Sequence, residues 1–376
     1  MSSILYVWQG NYPWDVRVEK IGRSLAQAGH KITLLARKRV EPMPPLPFEV
    51  LEVSSSFNAP LPWSPIWTRR IKQVISERKI DLVIARDFWI TASSINAAEA
   101  MNIPCIIDMA EHYPAAMRGW KKYNSNLLHR WAIHGARIPD QIEKWHALHA
   151  NGIMTVCEEQ NERLIKMGVA AEDLEVIGNT PDLSFFFQEF APPEKIIRIG
   201  HHGHITPERG LDVLIKAFAL IKEKKPELQL VLAGAGESSD EIQAMIQKYK
   251  INCELQGRYK FSDLPKLISE VDAGILPYQL SELLDHTLAN KLFDYMACRR
   301  PIFASNTRPF RRILNETKAG WIIDVTSPEK LAQDILNGCE HYQKEIANNG
   351  RQAIVSKYHW SADEKLLSRF VERYLG

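Results

Sequence analysis

Short apolar runs alternate with longer stretches in which apolar residues recur every three or four positions, a pattern that predicts strands separated by helices along almost the whole chain. In the first half, Ile4–Trp8, Ile32–Ala36, Leu82–Ala85, Cys105–Asp108 and Gly152–Val156 read as buried strands. Helical spacing precedes Ala28-Gly29-His30, where Gly29 suits the left-handed residue that follows a helix, and recurs over Ile90–Met101 and after Val156 through Leu164. The second half repeats the grammar, with strands at Ile196–Ile199, Leu228–Leu232, Cys253–Leu255, Ala273–Leu276 and Pro301–Ala304 and a helix at Leu211–Lys222. Parallel sheets with crossover helices follow, in two doubly wound α/β domains. A chain of 376 residues exceeds one ordinary core. The expected division is 1–185, 186–357 and a C-terminal helix over 358–376 that crosses back to the first domain. The junction is expected within Asn179–Pro193, where Pro181, Pro192 and Pro193 interrupt regular structure.

Two stretches break the rhythm. Glu41–Pro65 crowds seven prolines around a strand-like Phe48–Val53. Ala115–Trp145 interleaves Arg118, Trp120, Lys121, Lys122, Tyr123, His129, Arg130, Trp131 and Arg137 at helical spacing. Such a face can rest on an anionic membrane, snorkel over a core or line a groove, and all three readings stand at this point.

The segment Asp285–Ala297 reads as one helix whose apolar positions, Leu288, Leu292, Phe293, Met296 and Ala297, leave a polar seam of Thr287, Asn290, Lys291 and Asp294. A solvent face with a Lys291–Asp294 pair explains the seam, and so does a ligand: free N–H groups and the helix dipole attract phosphate. A second candidate follows the first strand of the second domain, Gly200-His201-His202-Gly203-His204, running on to Arg209-Gly210. Gly203 permits close approach of backbone, and His204 and Arg209 bracket a phosphate-sized space at the entry to the next helix. A metal among the three histidines and a solvated loop are the alternatives. In the first domain, Asp108, Glu111 and His112 leave a buried strand close together, a place for groups facing a reacting centre, unless Asp108 caps the next helix and His112 is exposed.

Composition narrows the field. With 45% hydrophobic and 24% charged residues and a net charge of +2, the chain has an average globular balance and no basic run that would point to nucleic acid. Five dispersed cysteines, never C-x-x-C, predict reduced thiols and a cytoplasmic setting. The opening Ile4–Trp8 lacks a basic region and cleavage site, so it reads as a strand and not a signal peptide. No Asp-x-Asp occurs to bridge a metal to a diphosphate, and neither the dinucleotide glycine fingerprint nor a P-loop nor a G-x-S-x-G elbow is present.

Taken in order, these positions resemble the GT-B glycosyltransferases, and within them the retaining family 4 (glycosyl transferases group 1). The resemblance runs from Asp15-Val16-Arg17-Val18 and Ala28-Gly29-His30-Lys31-Ile32 through Gly152–Glu159, Val176-Ile177-Gly178-Asn179 and Ala233-Gly234-Ala235-Gly236 to Lys291-Leu292-Phe293-Asp294-Tyr295-Met296-Ala297. It implies two Rossmann-like domains facing across a cleft, acceptor-binding first and nucleotide-sugar-binding second. By this resemblance Gly203, His204, Arg209, Thr287, Leu288, Asn290 and Lys291 hold the donor diphosphate, Arg258, Tyr259 and Asp294 the nucleoside, and His286 the sugar, where the family carries a Glu. Glu111 and His112 would face the anomeric carbon, and Gly10, Asn11, Trp14 and Asp15 would form an acceptor-side loop. The implied reaction moves a sugar from a UDP- or GDP-sugar to a hydroxyl of a glycan or lipid-linked glycan, with no metal and no cofactor, in polysaccharide biosynthesis. The expected location is cytoplasmic, with peripheral contact at the inner membrane face through 115–145. An epimerase or hydrolase on the same fold, or a non-catalytic nucleotide-sugar-binding subunit, are the competing expectations.

Overall fold

A computed structural model of the protein describes residues 1–376 except 14, 44, 55–60, 125, 187 and 188, and the side chains of 121 and 122. The chain divides into two compact units: Met1–Gly178 with Asp363–Gly376, and Asn179–Ala362. The break follows Gly178, ahead of the 185/186 boundary read from the sequence. The return begins at Asp363, inside the last helix, Trp360–Glu372. Phe370 and Tyr374 then cover Gly152 of the first unit so closely that a Cβ there would lie 2.4 Å from the Tyr374 hydroxyl.

In the first unit, β1 (Ser3–Tyr12), β2 (Lys31–Arg39), β3 (Glu49–Glu52), β4 (Leu82–Arg86), β5 (Cys105–Asp108), β6 (Gly152–Thr155) and β7 (Leu174–Val176) form one parallel sheet in the order β3-β2-β1-β4-β5-β6-β7. In the second, β8 (Arg198–His202), β9 (Gln229–Ala233), β10 (Cys253–Gly257), β11 (Ala273–Leu276), β12 (Ile302–Ser305) and β13 (Gly320–Ile323) follow the order β10-β9-β8-β11-β12-β13. Each sheet is therefore wound outward on one side and then on the other, with the reversal between β1 and β4 and between β8 and β11. At such reversals the loops leaving the strands part company, and the carboxyl ends open a crevice for ligands.

Helices cover both sheet faces, so the central strands are apolar along their length: Leu82, Val83, Ile84 and Ala85 are all fully buried, as are Ala273, Ile275 and Leu276. The edge strands β7 and β13 escaped the sequence reading for the same reason in reverse. Glu175, Val176, Trp321 and Ile322 are only partly buried, so no continuous apolar run marks them. One expectation changes at β1. The strand runs through Gly10 and Asn11, which belong to an irregular pairing with β2 and not to a loop, because Asn11 and Tyr12 regain partners in Lys38 and Arg39. Trp14 lies outside the described residues. All five cysteines are free, and among the described residues no helix is long and apolar enough to cross a membrane.

Gly210 sets the entry to the helix Leu211–Lys224. Its φ of +65° is left-handed, and a Cβ there would stand 2.0 Å from the Pro277 carbonyl oxygen just beyond β11. The loops after β8 and β11 thus touch backbone to backbone, joined also by the Gln279 amide donating to the Glu208 carbonyl (3.1 Å). Gly210→Ala is expected to destabilise the protein by about 1–3 kcal/mol, from strain and displacement of Pro277. Urea unfolding measures this, and an unchanged midpoint would show that the loops separate freely.

Candidate functional site

The carboxyl ends of the first sheet hold a lattice of buried charge. Asp108, at the end of β5, is fully buried and accepts from the Tyr6 hydroxyl (2.6 Å), Arg17 Nε (2.8 Å) and Arg86 Nη1 (2.9 Å). Asp15 caps the helix Val16–Gln27 by accepting from the amides of Arg17 and Val18, and its other oxygen takes Arg86 Nη2 at 2.7 Å. Arg17 reaches on to the carbonyl oxygens of Ile177 and Gly178. Two carboxylates and two guanidinium groups thus neutralise one another. Burial opposes ionisation of Asp108, but Arg17, Arg86 and the hydrogen bonds they and Tyr6 supply outweigh it and hold the carboxyl down at about 2.

Of the two readings of Asp108, the helix cap does not form, and Asp15 caps the helix Val16–Gln27 with both carboxylate oxygens engaged within the fold. His112 is buried and not exposed, with Nε2 3.9 Å from Glu143 Oε2, while Glu111 beside it is half-buried. Burial pushes the Glu143 carboxyl up in spite of its ion pair with Arg163.

The second unit is built differently. His201 and His202 end β8, both buried. His201 Nδ1–H donates to the Ile275 carbonyl of β11 (3.0 Å), and His202 Nδ1 lies 3.0 Å from the Tyr259 hydroxyl. Burial, followed by the nearby Lys291 charge, pushes His201 down to about 3 and His202 well below the ordinary imidazole value, so both are neutral at pH 7. Gly203 follows with φ +107°, and the Lys291 side chain crosses it where a Cβ would be: that Cβ would fall 2.4 Å from Lys291 Cε. Arg209 lays its guanidinium over the fully buried Tyr278 ring at 4.5 Å.

Neither Lys291 nor Arg209 has a carboxylate partner among the described residues, and the Lys291–Asp294 pair does not form. Asp294 instead approaches His202 Nε2 at 3.9 Å. At the carboxyl ends of β8 and β12 and in the loops that follow β8, β11 and β12, several buried polar atoms have no hydrogen-bond partner: His201 Nε2, Arg209 Nε and the hydroxyls of Tyr278, Thr287, Ser305 and Thr307. Native proteins rarely bury polar atoms unpaired, and ligands in such sheets bind where the strand order reverses, which makes this loop cluster the candidate site.

The seam helix is shorter than its pattern predicted. It spans Asn290–Ala297, because the preceding residues are committed elsewhere: Asp285 Oδ1 accepts from the Arg308 amide and His286 Nδ1 bonds to the Glu282 carbonyl. Thr287 and Leu288 lead into the helix, and Ala289, which has no side-chain acceptor, occupies the cap, leaving the first N–H groups to an outside partner. Asp294 sits about one turn inside. Of the other expected residues, Asn290, His204 and Arg258 are exposed and Tyr259 is half-buried. Among the described residues no three His, Cys, Asp or Glu side chains are grouped to hold a metal. His201, His202, Tyr278, Ser305 and Thr307 entered no phosphate-site expectation; their signal was polar residues standing at or just after apolar strands.

Two family models match in tandem: a "Glycosyl transferase 4-like domain" over residues 15–180 and "Glycosyl transferases group 1" over 184–353. The chain is 24% identical over 52% of its length to EpsD of Bacillus subtilis (strain 168). It is 22% identical over 45% of its length to the phosphatidyl-myo-inositol mannosyltransferase of Mycobacterium tuberculosis (strain ATCC 25618 / H37Rv). The matches span about half of those relatives, 53% and 45% respectively. Among solved structures, Anabaena HepE in complex with UDP superposes with a TM-score of 0.74 at 15% identity, covering 99% of this chain and 100% of that one.

The Asp108 lattice carries a pH signature. Its folded pKa lies below the unfolded carboxyl value of about 3.9, so its stabilisation is complete above that pH and fades as pH falls towards about 2. Asp108→Asn should cost about 3–5 kcal/mol at pH 7, since Arg17 and Arg86 stay buried with a lost counter-charge. Chemical denaturation should show the gap to wild type narrowing between pH 5 and pH 2.5; a constant gap would remove the ion pairs from the account.

Proposed function

We propose that this chain, which belongs to the GT-B glycosyltransferases of the group 1, family 4 type, moves a sugar from a nucleoside diphosphate, with UDP the first candidate, to a hydroxyl of a glycan or lipid-linked glycan with retention at the anomeric carbon. The observation that carries the reading is the pair of cations, Lys291 and Arg209, left without carboxylates where β8 and β11 diverge. A diphosphate supplies the missing charge. The free N–H groups opening Asn290–Ala297 and the hydroxyl of Thr287 can add hydrogen bonds to the same group.

As the bond to the anomeric carbon breaks, negative charge grows on the departing diphosphate and positive charge on the sugar ring. Lys291 and Arg209 stabilise the first without needing to rearrange, because Gly203 and Tyr278 already hold their side chains in place. They perform the service that a divalent cation gives elsewhere, which supports metal-independent transfer. The neutral state of His201 and His202 matters here, since each presents a buried Nε2 that can pair with the ligand without competing for its charge. In this reading Asp294, which approaches His202, serves the ribose hydroxyls, Tyr259 the base and His286 the sugar. UDP is preferred over GDP on the strength of the HepE complex.

Arg209→Met and Lys291→Met should each weaken UDP and UDP-sugar binding by about tenfold to a hundredfold, the value of a charge-assisted contact, with little change in the melting temperature of the free protein. Ligand-induced thermal shift measures both. Unchanged affinity in both variants would move the donor site elsewhere. With a donor and acceptor in hand, NMR of the product should show the donor's anomeric configuration, and EDTA should leave the rate unaltered; inversion or loss of rate would refute those two parts separately.

A further inference from the structure

His202 ends β8 at 2% exposure, and three residues from other elements close around it. Tyr259, two residues beyond β10, places its hydroxyl 3.0 Å from Nδ1. The Tyr295 ring meets the imidazole edge to face at 5.1 Å, and its hydroxyl donates to the Gly200 carbonyl (2.6 Å), so that wall is fixed. Asp294, one residue earlier on the same helix, faces the other nitrogen, with Oδ2 3.9 Å from Nε2.

These neighbours decide which nitrogen carries the proton. The ring is neutral at pH 7, so it has one N–H. Burial, followed by the Asp294 charge, pushes the Tyr259 hydroxyl up to about 12, so it keeps its proton and can donate to Nδ1. The imidazole N–H then lies on Nε2, toward the Asp294 carboxylate, where a lone pair would meet negative charge. At 3.9 Å this N–H is too far from the carboxylate for a hydrogen bond, and Nε2 is left without a hydrogen-bond partner. One oxygen placed between the two closes the gap, accepting from Nε2–H and donating to Asp294 with both bonds at ordinary length. A hydroxyl or a water has both capacities. Asp294 is the outer partner, its side chain 14% exposed, so a turn of its carboxylate opens that place.

We propose that a ribose hydroxyl of the donor occupies this place, shared between His202 Nε2–H and Asp294, and that His202 thereby makes the site select ribonucleotides over deoxyribonucleotides. The inference rests on the proposed donor site, in which Asp294 serves the ribose, and adds to it a residue, a proton position and a selectivity. A deoxyribose would bring a C–H to the gap, leaving a buried N–H and a carboxylate unbridged. A site built on a hydroxyl rejects the analogue that lacks it for that reason. A water in the same place is the competing occupant, and it would serve ribose and deoxyribose alike.

Isothermal titration calorimetry of the full chain with UDP, 2′-deoxy-UDP and 3′-deoxy-UDP tests it. Wild type should bind UDP, and at least one of the deoxy compounds about tenfold to a hundredfold more weakly. His202→Phe keeps a planar buried ring and removes both nitrogens. It should weaken UDP and bring the three nucleotides within about threefold of one another. His202→Gln, whose amide can still donate toward Asp294, should restore part of the selectivity. The ratio of affinities is the decisive reading, because a merely structural loss would weaken all three compounds together. Should neither variant fold, Tyr259→Phe decides: without a hydroxyl to donate to Nδ1 the tautomer is no longer held, and the ratio should fall severalfold. Equal affinity of wild type for the three compounds overturns the proposal and leaves the donor site standing, as does a His202→Phe variant with the full wild-type ratio. Absence of UDP binding by wild type fails the proposed UDP site itself, and this inference with it.

Discussion

Lys291 crosses the α-carbon of Gly203, whose left-handed φ of +107° suits glycine and where any Cβ would push the lysine aside, and the candidate site of the second unit depends on that crossing. The Lys291 charge is felt by two imidazoles that burial keeps neutral, and the Arg209 guanidinium of the same loop as Gly203 rests on an aromatic face. Among the described residues neither cation has a carboxylate partner. An anion brought to two such half-buried cations finds charge that no carboxylate among the described residues already neutralises. The loop geometry exists to keep this so: Gly203 admits the lysine, Gly210 brings the arginine-bearing turn against Pro277, and Tyr278 occupies the floor.

The two sheets share one strand order yet treat its reversal point in opposite ways. In the first unit Asp15, Arg17, Arg86 and Asp108 fill the carboxyl ends with charges that satisfy one another, and Arg17 also holds the last carbonyl groups before the chain leaves the unit. In the second, cations and hydroxyls remain without partners. The same topology therefore ends in paired charges in one unit and in cations without a carboxylate partner among the described residues in the other. The difference lies in which polar residues end the strands, and the proposed donor site rests on it.

Much of this was legible from residue order. The apolar runs Leu82–Ala85 and Ala273–Leu276 could be read as strands because helices on both faces leave them no polar side. Lys291, Asp294, Arg209 and Gly203 could be singled out because polar residues and glycine interrupt otherwise apolar patterns. What could not be read was pairing. Asp15 and Asp108 looked as available for chemistry as Asp294, and only their bonds to Arg17 and Arg86 remove them from that role. The helix start at Asn290 was equally hidden, since it depends on Asp285 being held by the Arg308 amide, 23 residues away in the chain.

The sequence by itself determined the parallel α/β architecture and the family, and singled out the segments proposed to hold phosphate, because periodicity and glycine placement are local properties. Tertiary structure decided which charges are spent and which are left. Whether a carboxylate is a structural counter-ion or a ligand contact depends on distances of a few ångströms between strands far apart in the chain, and on burial that shifts each group's protonation. His201 and His202 make the point: as residues they suggested a metal, and burial at the end of β8, with Nδ1 turned to Ile275 and Tyr259, leaves both neutral.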